Sequence, residues 1–249
     1  PRISIILIGL ICCIIGIIPS YLRAETTPAE TAIRQLTTHA RAGDTAAFDT
    51  LRESLESSED PEALYRLGKL YQHLPTPHIL HIRDDATADA YFDRVLTQPG
   101  DPSIWTWQAR HTKAKILLKR FEDALNAPEI QEALQLLKHA SDQRFAPAAL
   151  TYADTLVTLY ETHRETADTA SLVQAERLYR FALAEHNSKA ALGLAYLYKH
   201  LKQNANEADK WAGLGITLLE AEADGGDHKA ALALAKLYRD GIVVNASPE

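Results

Sequence analysis

The sequence predicts an all-α protein, built as a right-handed superhelical solenoid of antiparallel helix pairs. Three observations lead to this fold class: a helix-forming composition, a repeated apolar segment, and a second segment type with helical periodicity. Hydrophobic residues make up 46% and charged residues 24%, which is enough apolar surface for a packed structure. Gly and Pro number only 11 each and aromatic residues 7%, whereas Ala and Leu recur throughout. Helix formers therefore prevail over the β-branched and aromatic residues that strands favour.

The clearest repeat lies in the last third of the chain. Residues 189–198 read KAALGLAYLY, and residues 229–238, forty positions later, read KAALALAKLY, so that eight of ten positions are identical. Weaker copies occur at residues 63–71 and 148–153, and their separation predicts one degenerate copy at residues 105–118. A period of this length is typical of stacked helical units rather than of one globular core.

Between these segments lies a second type, at residues 132–140 and 175–182. Its apolar residues recur three and four positions apart, which is the period of an amphipathic helix. Each unit is therefore predicted to be a helix pair that buries its apolar face only by stacking on its neighbours. Segments rich in Gly, Asp, Asn and Pro separate the helices and predict turns, at residues 42–44, 98–102, 126–128 and 225–227.

The first 24 residues are predicted to be a signal peptide or an N-terminal membrane anchor, and residues 25–249 the repeat domain. Residues 3–18 are almost entirely apolar, Arg2 precedes them, and the small residue Ala24 follows at a plausible cleavage site. The run is short for a membrane span, which needs roughly 20 residues, so cleavage after Ala24 is favoured. Either alternative places the repeats outside the cytoplasm, periplasmic or secreted. The chain contains no methionine, so Pro1 is not a translational start, and it ends at residues 247–249, where a further helix is expected. We therefore expect a fragment truncated at both ends.

Composition excludes two classes of function. Formal net charge is −7 with acidic and basic residues interleaved, so nucleic acid is not an expected partner. The two cysteines, Cys12 and Cys13, both lie in the apolar run. Cys12 follows Ile11 rather than a small residue, so it does not match a lipoprotein signal. After cleavage no disulfide, thiolate nucleophile or cysteine-based zinc site is possible.

The unit of about forty residues resembles the Sel1-like repeat, a longer relative of the tetratricopeptide repeat. Its first helix has the pattern Ala-x-x-Leu-Gly/Ala-x-x-Tyr, its second Ala-x-x-Leu/Trp-Tyr/Leu-x-x-Ala, and a Gly-Asp turn joins the units. The resemblance covers residues 28–245 and is closest at residues 235–243. Residues 74–86 depart from it, since they are longer and richer in Pro and His than the usual connection.

The resemblance implies an adaptor rather than an enzyme, with no cofactor. We expect an extracytoplasmic protein–protein interaction scaffold that assembles a cell-envelope complex from envelope or outer-membrane proteins. Membrane contact is expected only through the N-terminal segment, if it is not cleaved. Three alternatives stay open: a periplasmic scaffold for alginate-type exopolysaccharide export, a secreted effector that binds host proteins, and a β-lactam-binding or hydrolysing enzyme. The last would need a nucleophile and a base, and the sequence contains no familiar catalytic motif.

Trp105 and Trp107 are the candidate interaction surface. A helical setting favours core packing for these residues and for Trp211, but two residues that are two positions apart cannot both face one core squarely. One of the pair should therefore be exposed or half-exposed. A metal site formed by His73, His78 and His81 is disfavoured, because their Pro-rich segment offers no carboxylate or thiolate. Asn245-Ala246-Ser247 fits a glycosylation acceptor, a pattern that is common by chance.

Overall fold

The structure is a computed structural model that describes residues 27–73, 84–100, 102–164 and 168–239. The predicted signal or anchor segment, His78, His81 and Asn245 lie outside these ranges. Helices account for nearly all of the described residues. They are α1 (Pro28–Ala42), α2 (Thr45–Ser57), α3 (Pro61–His73), α4 (Asp85–Thr97), α5 (Ile104–Arg120), α6 (Pro128–Asp142), α7 (Ala146–Thr162), α8 (Ala170–Ala184), α9 (Lys189–Tyr196, continued by a π-helical turn, Leu197–Leu201), α10 (Ala205–Asp224) and α11 (His228–Arg239).

Polar side chains and glycines set the helix boundaries. The Thr27 hydroxyl accepts a hydrogen bond from the Glu30 backbone N–H at 3.1 Å, and Pro28 occupies the first turn, where its missing N–H matters least. Helix α1 ends at Gly43, whose φ of 73° suits a residue without a Cβ atom. Asn204 caps α10 by accepting from the Glu207 N–H at 3.2 Å. Of the turns predicted from the sequence, the one at residues 42–44 thus contains the glycine that ends α1.

The chain divides into two compact units, with the boundary between Arg94 and Val95. In the first unit, α1, α2 and α3 pack against one another. Its fully buried side chains include Leu36, Leu67 and Phe92. Phe92 of α4 fits against Gly68 of α3, because a Cβ atom at position 68 would lie 2.7 Å from its ring. The Tyr91 hydroxyl also donates to Glu56, which ties α4 to α2.

In the second unit, helices α5 to α11 pack each on the next along the chain, and α7 contacts both α5 and α9. One continuous core runs through this stack and contains many alanines, including Ala133, Ala149 and Ala175, with Leu137 and Leu194 between them. Small residues let the helix axes approach closely, and the leucines fill the remaining space. Helices of the first type are α5, α7, α9 and α11, and the second type are α6, α8 and α10. The all-α fold and its antiparallel helix pairs are thereby confirmed, whereas the right-handed superhelix stays a prediction.

The turns after the second-type helices each contain a residue with a positive φ angle. Arg144, His186 and Gly226 follow α6, α8 and α10, and their φ angles are 62°, 63° and 93°. Only glycine adopts this left-handed region without steric penalty. The positive φ angle therefore recurs at the same place in each repeat. At two of the three places, the residue is not the glycine that this backbone conformation favours.

Among the described residues, no helix combines the length and apolar character needed to cross a bilayer.

Candidate functional site

Exposed and half-buried side chains of successive first-type helices form the candidate site of the second unit, here named the first-helix face. It comprises His111 on α5, Thr151, Asp154, Thr158 and Glu161 on α7, and Tyr196 and His200 on α9. Thr151, Asp154, Thr158 and Glu161 are three or four residues apart, so they lie along one side of α7. Opposite sides of the same helices supply the core.

Hydrogen bonds join the first-helix face from one repeat to the next. The Thr151 hydroxyl donates to the Pro147 carbonyl at 3.1 Å, so it accepts from His111 Nε2 across a distance of 2.9 Å. In the next repeat, the Tyr196 hydroxyl donates to Glu161 Oε1 at 2.7 Å. The Tyr196 ring, in a side chain 43% exposed, packs 4.6 Å from the His200 ring. These side chains therefore hold defined positions without a ligand.

Tyr179 reaches this face from the second-type helix α8. Its ring is buried against Gly193 of α9, and its hydroxyl donates to Asp154 Oδ1 at 2.7 Å. A Cβ atom at position 193 would lie only 2.3 Å from the ring, so a glycine is required for this arrangement. Gly193 thus makes room for the Tyr179 ring, which allows the Tyr179 hydroxyl to reach the Asp154 carboxylate on α7.

Burial and hydrogen bonding perturb the titration of this cluster. Partial removal from water raises the pKa of Asp154, although the residue is exposed by surface area, and the Tyr179 hydroxyl partly offsets this by stabilising the carboxylate. Burial and the nearby Asp154 carboxylate raise the pKa of Tyr179. The hydrogen bond to Glu161 raises the pKa of Tyr196. Both tyrosines are therefore neutral donors at physiological pH, and Asp154 is held in an environment that disfavours its charge.

The two tryptophans predicted as an interaction surface lie in the first turn of α5, and both are half-buried. Trp107 packs against the core of the second unit. Between them Thr106 is buried, and its hydroxyl accepts from the Ser103 backbone N–H at 3.2 Å, which fixes the start of the helix. The Arg110 guanidinium lies over the Trp107 ring, 4.8 Å from its centroid. An interaction role for Trp105 and Trp107 stays a prediction.

The remaining sequence candidates occupy structural positions or lie outside the described ranges. Trp211 is buried, and the cationic groups of Arg180 and Lys210 lie 5.1 Å and 5.2 Å from its ring centroid. His73 ends α3, and the other two histidines of its segment are not among the described residues. Within residues 27–73, 84–100, 102–164 and 168–239, no three His, Cys, Asp or Glu side chains are grouped as metal ligands.

The sequence reasoning missed Asp154, Glu161, Tyr179 and Tyr196, which carry most of the polar chemistry of this face. The sequence does distinguish Tyr196. The segments 189–198 and 229–238 are identical at eight of ten positions, and Tyr196 is one of the two exceptions, with Lys236 at the equivalent place. Gly193 was noticed only as a small residue. Its partner Tyr179 lies in the second type of repeat segment, at residues 175–182. Only the packing of α8 on α9 shows that the two residues are in contact.

No protein-family model matches the sequence. No curated protein matches it either. Among solved structures, the chain is similar to c5321, a protective antigen present in uropathogenic Escherichia coli strains that displays an SLR (Sel1-like repeat) fold. The two share 15% sequence identity with a TM-score of 0.37, and the similarity covers 84% of this chain. The chain spans about half the length of that protein, since the match covers 49% of it.

Proposed function

We propose that this protein is an extracytoplasmic binding scaffold that holds protein partners in a cell-envelope complex, and that the first-helix face is its binding surface. The single observation that carries the proposal is the pair of hydrogen bonds, His111 to Thr151 and Tyr196 to Glu161, that fixes side chains of this face from one repeat to the next. The apolar run at residues 3–18 supports a location outside the cytoplasm.

An ordered surface suits a binding role for an energetic reason. Immobilising a rotamer-rich side chain at an interface costs about 0.5–1.5 kcal/mol, and this penalty reduces affinity. Tyr196, Glu161, His111 and Thr151 are already held by one another or by their helices. A partner that contacts them therefore loses less free energy than it would on a surface of free side chains.

The chemistry of the face favours a polypeptide ligand. It offers hydroxyl and imidazole groups, two carboxylates and an exposed aromatic ring within a short length of α7 and α9. Helical repeats present such groups over an extended surface, and they recognise partners by distributed contacts. Tyrosine in particular supplies apolar area and a hydrogen-bonding tip in the same side chain.

Site-specific photocrosslinking tests the proposal. Thr158 is exposed and lies between Asp154 and Glu161 on α7, so we replace it with p-benzoylphenylalanine in the full chain. Irradiation of intact cells that make the protein should yield discrete adducts, which mass spectrometry should identify as envelope proteins. The matched control carries the same amino acid in place of Gln135, an exposed residue on the second-type helix α6.

Equal formation of adducts from positions 158 and 135 would show that contact occurs by chance collision. It would refute the claim that the first-helix face binds partners specifically. The absence of adducts at position 158 in folded protein would refute the first-helix face as the binding surface. Adducts only with proteins of the surrounding medium would refute the envelope location.

A further inference from the structure

Arg110 adjoins the first-helix face without an anionic partner. Its guanidinium lies 4.8 Å from the centroid of the Trp107 ring. Ile104, Trp107 and His111 are three and four residues apart, so they share one side of α5, and Ile104 is 50% exposed. His111 in turn contacts Phe145 with ring centroids 5.8 Å apart. The cation therefore lies over an indole, and an exposed apolar residue lies one turn before that indole on α5.

Comparison with the other half-buried arginines shows how unusual this is. In the part of the chain that the structure describes, the half-buried arginines are Arg52, Arg66, Arg94 and Arg110. Arg52 donates to Glu56 at 2.9 Å, Arg66 donates to Glu62 at 2.7 Å, and Arg94 donates to the Glu56 carbonyl at 2.9 Å. For Arg110, no described carboxylate or carbonyl oxygen accepts a hydrogen bond. Its guanidinium lies instead over the face of the Trp107 indole.

The pKa of Arg110 agrees with a partly buried cation that has no acidic neighbour among the described residues. Burial lowers the pKa of Arg110, with no nearby carboxylate to oppose the effect. Arginine nonetheless stays charged at physiological pH, and its five N–H groups form a planar fork that matches a carboxylate. An anion that reached this fork would therefore gain charge-assisted hydrogen bonds that no described acidic side chain supplies.

We propose that Arg110, stacked on Trp107, is a subsite that receives the carboxylate of an acidic side chain on the bound partner. The inference rests on the proposed function, since it takes the ligand to be a protein segment. Charge complementarity selects an aspartate or glutamate of the partner. The exposed Ile104 provides an apolar contact for the partner residues next to that acidic residue. Trp107 orients the guanidinium, and this preorganisation lowers the entropy lost on binding.

Nuclear magnetic resonance of the full chain in detergent solution tests the subsite directly, with N-acetylglutamate α-amide as the probe. The Arg110 Nε–H signal, assigned by its loss in Arg110→Lys, should shift saturably, together with the Trp107 indole N–H. Arg110→Gln should weaken the binding measured at the indole by about tenfold or more, because a charge-assisted bidentate contact is lost. Trp107→Phe keeps a ring but weakens the stacking, so a smaller loss is expected.

Controls separate this subsite from general electrostatics. The neutral probe N-acetylglutamine α-amide should leave both signals in place, and Arg177→Gln, at an exposed arginine of α8, should not alter the titration. Equal shifts with the neutral probe, or unchanged indole binding in folded Arg110→Gln, would overturn the proposal. A shift with N-acetylglycine alone would also overturn it, in favour of a chain-terminal carboxylate. Because the probe titration needs no partner, it can fail while crosslinking at position 158 succeeds, and the reverse.

Discussion

The Tyr179 ring fills the space that the side chain of residue 193 would otherwise take, and it reaches across that glycine to hydrogen-bond with Asp154. Three helices of the second unit meet in this contact: α8 supplies the phenol, α9 supplies the gap, and α7 supplies the carboxylate. The small residue in the repeat therefore has a specific partner, beyond the general requirement for close helix packing.

Gly193→Ala should destabilise the protein although alanine is the better helix former. The new methyl group would lie 2.3 Å from Tyr179, and overpacking of this kind costs about 1–3 kcal/mol in the free energy of unfolding. The matched control is Gly213→Ala in α10, where nothing lies within 4 Å of the new Cβ atom. That variant should gain about 0.5–1 kcal/mol. Urea denaturation of both variants measures the difference, and equal effects of the two substitutions would contradict the contact.

Tyr179→Phe should raise the pKa of Asp154 further above its ordinary value of 3.8, because the hydroxyl that stabilises the carboxylate is removed. The measurement is a pH titration of the Asp154 side-chain carbon by nuclear magnetic resonance. Tyr152→Phe serves as the control, since the Tyr152 hydroxyl pairs with Gln174 instead. An unchanged titration of Asp154 in Tyr179→Phe would show that the hydroxyl does not stabilise the carboxylate.

The raised pKa of Asp154 determines how the free energy of unfolding changes with pH. A folded state with the higher pKa binds the proton more readily than the unfolded chain. The Asp154 contribution to stability therefore declines as pH rises from 3.8 through the folded-state pKa. Asp154→Asn should remove this decline and leave the protein more stable than the wild type at pH 7, as thermal melts across pH would detect. A less stable variant at pH 7 would show that the charge is favourable where it lies.

His186→Gly should stabilise the protein by about 0.5–1 kcal/mol, because His186 has a φ of 63° and its backbone is in the left-handed region. The reverse change at the equivalent turn, Gly226→Ala, should destabilise it by a similar amount. Chemical denaturation of the pair provides the test. A loss of stability in His186→Gly would show that the histidine side chain makes a contribution larger than its backbone strain.

Glu176→Gln should lower the free energy of unfolding by about 2 kcal/mol at pH 7. Burial alone would raise the pKa of Glu176, but hydrogen bonds from Lys202, Tyr198 and Arg180 lower it to about 2. Since the folded pKa is depressed, the stabilisation is complete above the ordinary value of 4.5 and disappears as pH falls toward about 2. The stability difference between wild type and variant should follow this window in acid denaturation.

Glu122→Gln, at an exposed position of the turn after α5, is the control for Glu176→Gln. It should change stability by less than about 0.5 kcal/mol. A Glu176→Gln penalty that persists unchanged at the lowest pH would show that packing, rather than charge, is the cause.

The sequence predicted those parts of the fold that depend on local patterns. The repeats at residues 189–198 and 229–238 lie in α9 and α11, and the degenerate copy expected at residues 105–118 lies in α5. Helical periodicity and turn chemistry are properties of neighbouring residues, so one sequence contains enough information to recognise them. The π-helical turn at Leu197–Leu201 was not predicted, because nothing in its composition distinguishes it from α-helix.

The candidate site depended on contacts between residues far apart in the chain, and so it was largely missed. Asp154 and Tyr179 are 25 positions apart, and Glu161 and Tyr196 are 35 apart. Trp107 was singled out because it and Trp105 are two positions apart and cannot both face one core, whereas Arg110 was overlooked. A lone arginine in a sequence is unremarkable, and only packing shows that it has no carboxylate beside it.

The links along the first-helix face differ in kind from one junction to the next. A histidine meets a threonine between α5 and α7, whereas a tyrosine meets a glutamate between α7 and α9. The side chains at each junction match those of the helix that follows in this chain. Against a different helix, some of these polar groups would lack a hydrogen-bond partner. The repeats are therefore not interchangeable modules, and a chain with the same units in a permuted order would lose the surface even if every helix formed.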